Sequence, residues 1–484
     1  GKVIIAELGE KSEVDYTGQV FDYVGYICNK YDSLDEKYFV EKHFQYFVNL
    51  PQEIMELQID CLQKKLGNHY IPLFNCNYRD TVSKTLLFKY PLIAPLMDEK
   101  NIKTRYIINI LGVNEINVEI LKNILAIGVL EDTDIPIRIN VIGENTSFME
   151  ANIIKKCGDV QKNNKLCNIE INYYDINFES VEFSRMLEEN NTTGELGNTL
   201  KSFDYMVCNV GNDFENIEMA SRINMYNLRY SENLLNQPYI CVRCKSGKLG
   251  NELIGKTMIN NSILNYAWYE SPSFKLFGDK ESVYSYEKNS IENNVMLKWA
   301  LSIHYSYYDK GCDEHEIWND YYSSSYGRDS SEMAAIFILY RMYAARCFGF
   351  ESWDYEEMLA ELHDYTLVDR YREFLSDPLN KEKHSEMEHI RWNRYMISRG
   401  WMPASYDKMK LFIEKSKGKL RQKFPSAKMH RYIATWEELG NCPGDQMLFY
   451  LNYIKYSIEK NSQSGEEKNI YDDLLTGVHH MIDE

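Results

Sequence analysis

No stretch of this 484-residue chain approaches the about 20 consecutive apolar residues that a membrane-spanning helix needs. The first residues also lack the charged-then-apolar pattern of a secretory leader. The expectation is a cytoplasmic protein with no membrane segment in this chain. It opens on Gly1 rather than methionine, so an upstream membrane or effector segment stays open. The 11 cysteines follow no framework spacing, which argues against a disulfide-stapled fold and for a reducing compartment. The close pair Cys241 and Cys244 lies in a strand-like run. Residues three apart on a strand face opposite sides, so the pair reads as structural rather than zinc-binding. Positive charge is in deficit: the net charge of −18 argues against a nucleic-acid partner, which needs a cationic surface. The basic run Lys417, Lys419, Arg421 and Lys423 is short, and reads as a solvated helix face or a phosphate contact for a small ligand. No hydrolase is expected: G-x-S-x-G and H-E-x-x-H do not occur, no phosphate-binding loop is expected, and no catalytic residue is assigned. His479-His480 reads as surface sequence, so no metal site is assigned either.

What is present is enough chain for about three domains, with 44% hydrophobic residues to fill their cores. The 38 tyrosines suit polar-edged pockets and contact surfaces, or reflect composition bias. Residues 1–103 form a mixed opening region, with a strand at 3–6 and helical signals at 36–47 and 52–66. Residues 104–289 alternate apolar runs with helical patterns. Strands are expected at 106–111, 136–142, 169–174, 205–209, 239–244 and 274–277, with helices at 115–127, 147–156, 180–189 and 213–228. Such alternation implies a parallel, doubly wound sheet. From 290 to 446 long amphipathic helices take over, at 293–307, 331–347, 355–362 and 385–398. Residues 447–484 form a helical extension. The fold class is therefore α/β plus all-α: a Rossmann-like domain followed by a mostly helical one.

The first strand–turn–helix of the α/β region reads Gly112-Val113-Asn114-Glu115-Ile116-Asn117. An intact dinucleotide turn has the form G-x-G-x-x-G, whose glycines let backbone amides approach a pyrophosphate. Here Gly112 remains, asparagines replace the other two glycines, and Glu115 adds a negative charge. Glu144 follows the second strand, where an acidic residue usually meets ribose hydroxyls. The unit resembles the potassium-uptake regulatory (TrkA-N-type) nucleotide-binding domain. That resemblance makes Gly112 and Glu144 the cofactor-binding candidates and an NAD-type dinucleotide the candidate cofactor. The damaged turn favours a scaffold that has lost the dinucleotide.

Farther on, Glu388-His389-Ile390-Arg391-Trp392 is followed by Arg399-Gly400-Trp401. Then comes the run from Lys428 through His430 and Tyr432 to Trp436 and Leu439. Upstream, Trp318 precedes Arg328-Asp329-Ser330-Ser331-Glu332. With these anchors, 313–446 resembles the ryanodine-receptor (RyR) repeat. Arg431 departs from the usual proline, and Ala434-Thr435 from Val-Pro. His389 and Trp392, three apart, share a helix face. Aromatic walls with guanidinium groups suit a purine and its phosphates. The ligand-binding candidates are therefore Arg328, Ser330, Ser331, His389, Arg391, Trp392, Trp401, His430 and Trp436, with Arg394 a further phosphate partner. The tryptophans have an alternative role as the domain's core. Arg328 is expected at a helix N-terminus, where free amides attract anions.

The paired resemblance implies a cytosolic regulatory protein that senses a nucleotide-like small molecule, in defence or in ion-transport regulation. It also implies a homo-oligomer, with the stripe Val295, Met296, Trp299, Ala300, Ile303 and Tyr307 as interface or intrachain core. The rivals are an NAD(P)-binding oxidoreductase and a structural interaction protein without ligand.

Overall fold

The computed structural model describes residues 4–6, 46–48, 73–75, 77–97, 105–130, 135–158, 160, 166, 168–188, 195–230, 238–247, 274–279, 295–306, 317, 320–321, 325–363, 366–404, 423–424, 427–430 and 432–436. The chain forms two compact units, both discontinuous in sequence. One comprises residues 1–82, 286–335 and 473–484, and the other 83–285 and 336–472.

The first unit carries three short parallel strands, β1 (Ile4–Ala6), β2 (Tyr46–Val48) and β3 (Leu73–Asn75). Residues 46 and 47, expected at the end of a helix, lie in β2. Their aromatic and β-branched surroundings, Phe44, Tyr46, Phe47 and Val48, suit a strand. The helical signal at 52–66 falls outside the described residues. Helix α1 (Tyr78–Lys89) starts in this unit and continues into the second.

The second unit is built on a six-stranded sheet. Its strands alternate with helices in the order β4 (Tyr106–Leu111), α2 (Glu115–Ile127), β5 (Ile137–Gly143), α3 (Thr146–Cys157), β6 (Ile169–Asp175), α4 (Val181–Glu188), α5 (Glu195–Lys201), β7 (Tyr205–Cys208), α6 (Asp213–Tyr230), β8 (Tyr239–Arg243) and β9 (Lys275–Phe277). Neighbours run β6-β5-β4-β7-β8-β9, and every pairing is parallel. Counted from β4, this is the 3-2-1-4-5-6 order of the Rossmann fold, with its switch point between β4 and β7. Both faces are covered, which is why the strands read as nearly unbroken apolar runs. On one face Phe183, Leu200, Ala220 and Ile223 pack over Met206, Cys208, Ile240 and Val242.

Polar residues break those runs in register. Asn109, Asn140 and Asn172 stand opposite one another on β4, β5 and β6. Asn140 donates to Asn109 Oδ1 at 2.9 Å, and Asn172 to Asn140 Oδ1 at 3.3 Å. Asn109 in turn donates to the Thr199 carbonyl at 3.0 Å. A slip of one residue would strand these amides in the core, so the ladder pins the register.

Beyond the sheet, α7 (Val295–Tyr305) belongs to the first unit. Helix α8 (Ser325–Ala344) begins there and ends in the second. Met296, Trp299, Ala300 and Ile303 are all buried within the chain, so the stripe serves as intrachain core; Tyr307 lies outside the described residues. The second unit continues with α9 (Tyr355–His363), α10 (Thr366–Leu375) and α11 (Pro378–Ser398), then three two-residue strands, β10 (Met402–Pro403), β11 (Lys423–Phe424) and β12 (Met429–His430). Asp377 caps α11 by accepting from the Leu379 amide at 2.9 Å, with Pro378 in the first turn. No described helix is long and apolar enough to cross a membrane.

Candidate functional site

Two places in the second unit concentrate polar and aromatic chemistry: the carboxyl edge of the sheet, and the C-terminal half of α11 with the chain that returns to it. At the sheet edge, Gly112 holds φ at +97°, and a Cβ there would fall 2.1 Å from the Asn209 carbonyl oxygen. Only glycine fits this close approach. The two asparagines in place of fingerprint glycines are engaged with the same strand end. Asn114 caps α2, accepting from the Asn117 amide at 3.1 Å, and donates to the Asn209 carbonyl at 2.8 Å. Asn117 donates to the Leu111 and Gly112 carbonyls at 3.0 and 2.8 Å. Asn209 returns two bonds, to Asn114 Oδ1 at 2.9 Å and Asn117 Oδ1 at 3.0 Å. The next turn is closed the same way, since Asn216 Oδ1 accepts the Val210 and Gly211 amides at 2.7 and 2.9 Å. A pyrophosphate here would have to break this lattice and meet Glu115, exposed in the first turn of α2. Glu144 is exposed just past the end of β5.

The aromatic group forms around His389, which α11 places one turn from Trp392. Their rings lie 6.1 Å apart and nearly parallel. Trp436 approaches His389 at 5.7 Å. His430, brought by β12, meets the edge of Trp392 at 4.8 Å, Trp401 at 6.2 Å and Tyr432 at 5.5 Å. So five of the nine ligand-binding candidates, His389, Trp392, Trp401, His430 and Trp436, come together. His389, Trp401 and His430 are buried, whereas Trp392 and Trp436 are half-buried and keep solvent-facing surface. Burial pushes His389 down to about 4, against the pull of the Ala434 carbonyl and Glu388. The ring is therefore neutral at pH 7, with its Nε2 proton on the Ala434 carbonyl at 2.9 Å. Asn393 donates to the same carbonyl at 2.7 Å, which fixes its amide orientation. Its Oδ1 is left buried without a hydrogen-bond partner.

The arginine candidates are engaged elsewhere. Arg391 is 2% exposed, forks onto Glu388 at 2.8 to 3.1 Å, and lies over the rings of Phe337 and Tyr395. Arg394 is buried and donates to the Gly128 carbonyl at the end of α2. Arg328, Ser330 and Ser331 lie in the first unit, on α8. That helix starts at Ser325, not at 331, so Arg328 is its fourth residue and lies in its first turn. Gly327 and the serine run hide this start from a propensity reading. Ser331 donates back to the Gly327 carbonyl at 2.9 Å. Arg328 is 3.7 Å from Glu332, and Glu332 groups with Asp80 and Asp329 within 4.8 Å of one another. Glu332 beside the guanidinium, itself grouped with two further carboxylates, disfavours a phosphate there. Trp318, the run 417–422 and His479-His480 fall outside the described residues; Lys423 lies in β11.

A buried polar joint, ionic between α2 and α3 and hydrogen-bonded between α2 and the end of α11, gave no motif in the sequence. Every residue of α2 from Ile116 to Ile127 is buried, charged ones included. Glu119 is bridged by Lys122, one turn along, and by Lys156 of α3 at 2.6 Å. Burial alone would raise its carboxyl, but the two ammonium groups outweigh burial and hold it at about 2. Arg399, just past α11, donates to Asn123 Oδ1 at 3.0 Å, and Asn123 donates to Ser83 at the same distance. Gly400 holds φ at +78°, and a Cβ there would meet the Lys156 carbonyl at 2.9 Å. The pattern of α2 is visible in sequence only as charges on an otherwise apolar helix, EINVEILKNILAI.

Contrary to the expectation of no phosphate-binding loop, Gly250-Asn251-Glu252-Leu253-Ile254-Gly255-Lys256-Thr257 fits the spacing G-x-x-x-x-G-K-T of such a loop. It starts seven positions past β8, whereas such a loop normally follows its strand directly, and it lies outside the described residues. The CxxC pair separates as its spacing implies: Cys241 donates to the Tyr205 hydroxyl at 3.1 Å, while Cys244 packs in the core on the opposite face.

No family model matches the chain, and neither does any curated protein or solved structure.

Proposed function

We propose that the chain is a non-catalytic sensor whose aromatic group on α11 binds a nucleotide-derived small molecule, and whose Rossmann-like sheet transmits the binding. The observation that carries this reading is the pair of half-buried tryptophans, Trp392 and Trp436, flanking a buried, neutral His389. Flat aromatic faces suit a nucleobase, and the unpaired Asn393 Oδ1 suits an exocyclic amine. Since Arg391 and Arg394 are occupied, the site grips the base rather than the phosphates. The sensing role is the one implied by the resemblance to the ryanodine-receptor repeat joined to a TrkA-N-type domain, in defence or ion-transport regulation. The buried joint from Arg399 and Arg394 to α2 supplies a physical route to the sheet edge, where α2 begins. Coupling through it requires two arrangements of the joint that ligand favours unequally. The homo-oligomer implied by the same resemblance would use a surface other than the α7 stripe, and light scattering decides it.

Calorimetry with adenosine, AMP, ADP-ribose, NAD and ATP–Mg tests this reading on the parent, Trp392→Ala and Lys256→Ala. Binding of the adenosine compounds that is lost in Trp392→Ala supports it. Binding of NAD alone, unaffected by Trp392→Ala, would return the oxidoreductase reading. ATP binding lost only in Lys256→Ala would move the site to 250–257. No binding at all would leave the interaction protein.

A further inference from the structure

We infer that Arg243, at the carboxyl end of β8, is the anchor of a separate oxyanion-binding site at the sheet edge. The residue is 8% exposed, so nine-tenths of it has left water. Its Nη1 donates to Asn209 Oδ1 at 3.2 Å, which directs the guanidinium toward the switch point between β4 and β7. Its Nε is buried with no hydrogen-bond partner. Among the described residues no carboxylate forms an ion pair with it. Asp213, held against the segment that follows β8, spends both oxygens on the Lys245 and Ser246 amides at 2.8 and 3.1 Å. A buried guanidinium without a counter-ion is costly, and such groups are ordinarily paired. The Nε side of a guanidinium carries two parallel N–H donors, the fork that takes the two oxygens of a carboxylate or phosphate side on. Here Nη1 fixes the plane through Asn209 and that fork is the unused edge.

The surroundings define what fits. The asparagine amides are each engaged with a neighbour. Glu115, Glu144 and Glu215 stand exposed at the same edge. A group with little charge beyond one oxyanion is favoured there over a pyrophosphate. Phe214, 61% exposed in the first turn of α6, offers an apolar surface at that edge for the rest of the molecule. This site is independent of the aromatic group on α11.

Thermal melts of the full chain test the inference. Sodium acetate and sodium phosphate are compared with sodium chloride at equal ionic strength, in the parent, Arg243→Met and Arg243→Lys. The expected result is that acetate, phosphate or both raise the parent Tm by several degrees more than they raise that of Arg243→Met, with Arg243→Lys between. The variant subtracts the general stabilisation such salts give any protein. The larger of the two shifts identifies the carboxylate or the phosphate source. Equal shifts in parent and Arg243→Met, or no shift in the parent, overturn the inference. If Arg243→Met does not fold, Arg243→Lys carries the comparison: it keeps the charge but lacks the planar fork, and an undiminished shift in it also overturns the proposal.

Discussion

The sheet edge and the α11 aromatic group are built from the same kind of material, polar side chains set among buried apolar ones, yet they leave opposite residues over. At the edge, Asn114, Asn117, Asn209 and Asn216 satisfy one another and the nearby backbone, and what is left over is the Nε edge of Arg243. Around His389 the Nε2 and the Asn393 amide both reach the Ala434 carbonyl, Asn393 Oδ1 is left buried without a hydrogen-bond partner, and two indole rings stay half in solvent. The difference teaches that a site is recognised by what remains unspent. A damaged glycine motif is one half of the story; what the replacing side chains do with the freed space is the other.

The largest effect is expected at the buried ionic bridge of α2 and α3. Glu119→Ala leaves Lys122 buried without its partner and should cost about 3–5 kcal/mol in urea unfolding. The pH dependence follows from the same pair. The folded carboxyl is held at about 2 and the ordinary one titrates near 4.5, so its stabilisation is present above pH 4.5 and is lost as pH falls toward 2. An acid limb that is the same in Glu119→Gln and parent would mean that the joint carries no such stabilisation.

Within the aromatic group the tryptophans should divide. Trp401→Ala removes a side chain that is 8% exposed and should cost about 3–5 kcal/mol. Trp392→Ala removes a half-buried one and should cost less, leaving a folded protein whose binding can be measured. Equal losses of stability would make Trp392 core and erase the contrast with the edge. His389, and His384 at the other end of α11 against Tyr371 and Phe374, respond to pH in the same direction. Burial lowers both, to about 4 and about 3, so the folded state prefers them neutral. Stability should therefore decline as pH falls from 6.5 toward 4, each imidazole contributing up to about 1.4 kcal/mol for every pH unit crossed. Replacing His384 with glutamine should flatten that decline, and calorimetric melts between pH 7 and 4 would show it.

At the sheet edge, Asn209→Ala should cost about 1–3 kcal/mol, because it leaves buried groups of Asn114, Asn117 and Arg243 unpaired. It should leave the affinity of any base-like ligand unchanged. Smallest of all is Arg328→Ala: with Glu332 and its acidic neighbours as surroundings, its loss should cost about 1 kcal/mol or less and should not touch ligand affinity. A tenfold weakening of nucleotide binding in that variant would restore Arg328 to the site.

Much of the fold was legible because parallel strands covered on both faces write themselves as apolar runs. Tyr106–Leu111 and Glu115–Ile127 fall where the pattern puts them, and the other strands shift by a residue or two. Helix α10 does carry a helical pattern, with Leu367, Val368, Tyr371 and Leu375 on its buried face, though no expectation covered it; the two-residue strands are too short to leave one. The grouping of His389 with Trp392 followed from helix geometry. The roles of Arg391 and Arg328 did not, because a one-dimensional pattern cannot tell which carboxylate reaches a guanidinium first. The asparagines at 114 and 117 were visible only as missing glycines, since their partner Asn209 lies some ninety positions away.

The most direct test sets the two regions against each other in one titration. Adenosine is titrated by calorimetry into the parent, Trp392→Ala and Asn209→Ala, each checked for folding by its melt. Base–aromatic stacking contributes about 1–3 kcal/mol, so Trp392→Ala should weaken binding on the order of tenfold or more, while Asn209→Ala binds as the parent does. Binding that survives Trp392→Ala and fails in Asn209→Ala would contradict the account and place the ligand at the sheet edge.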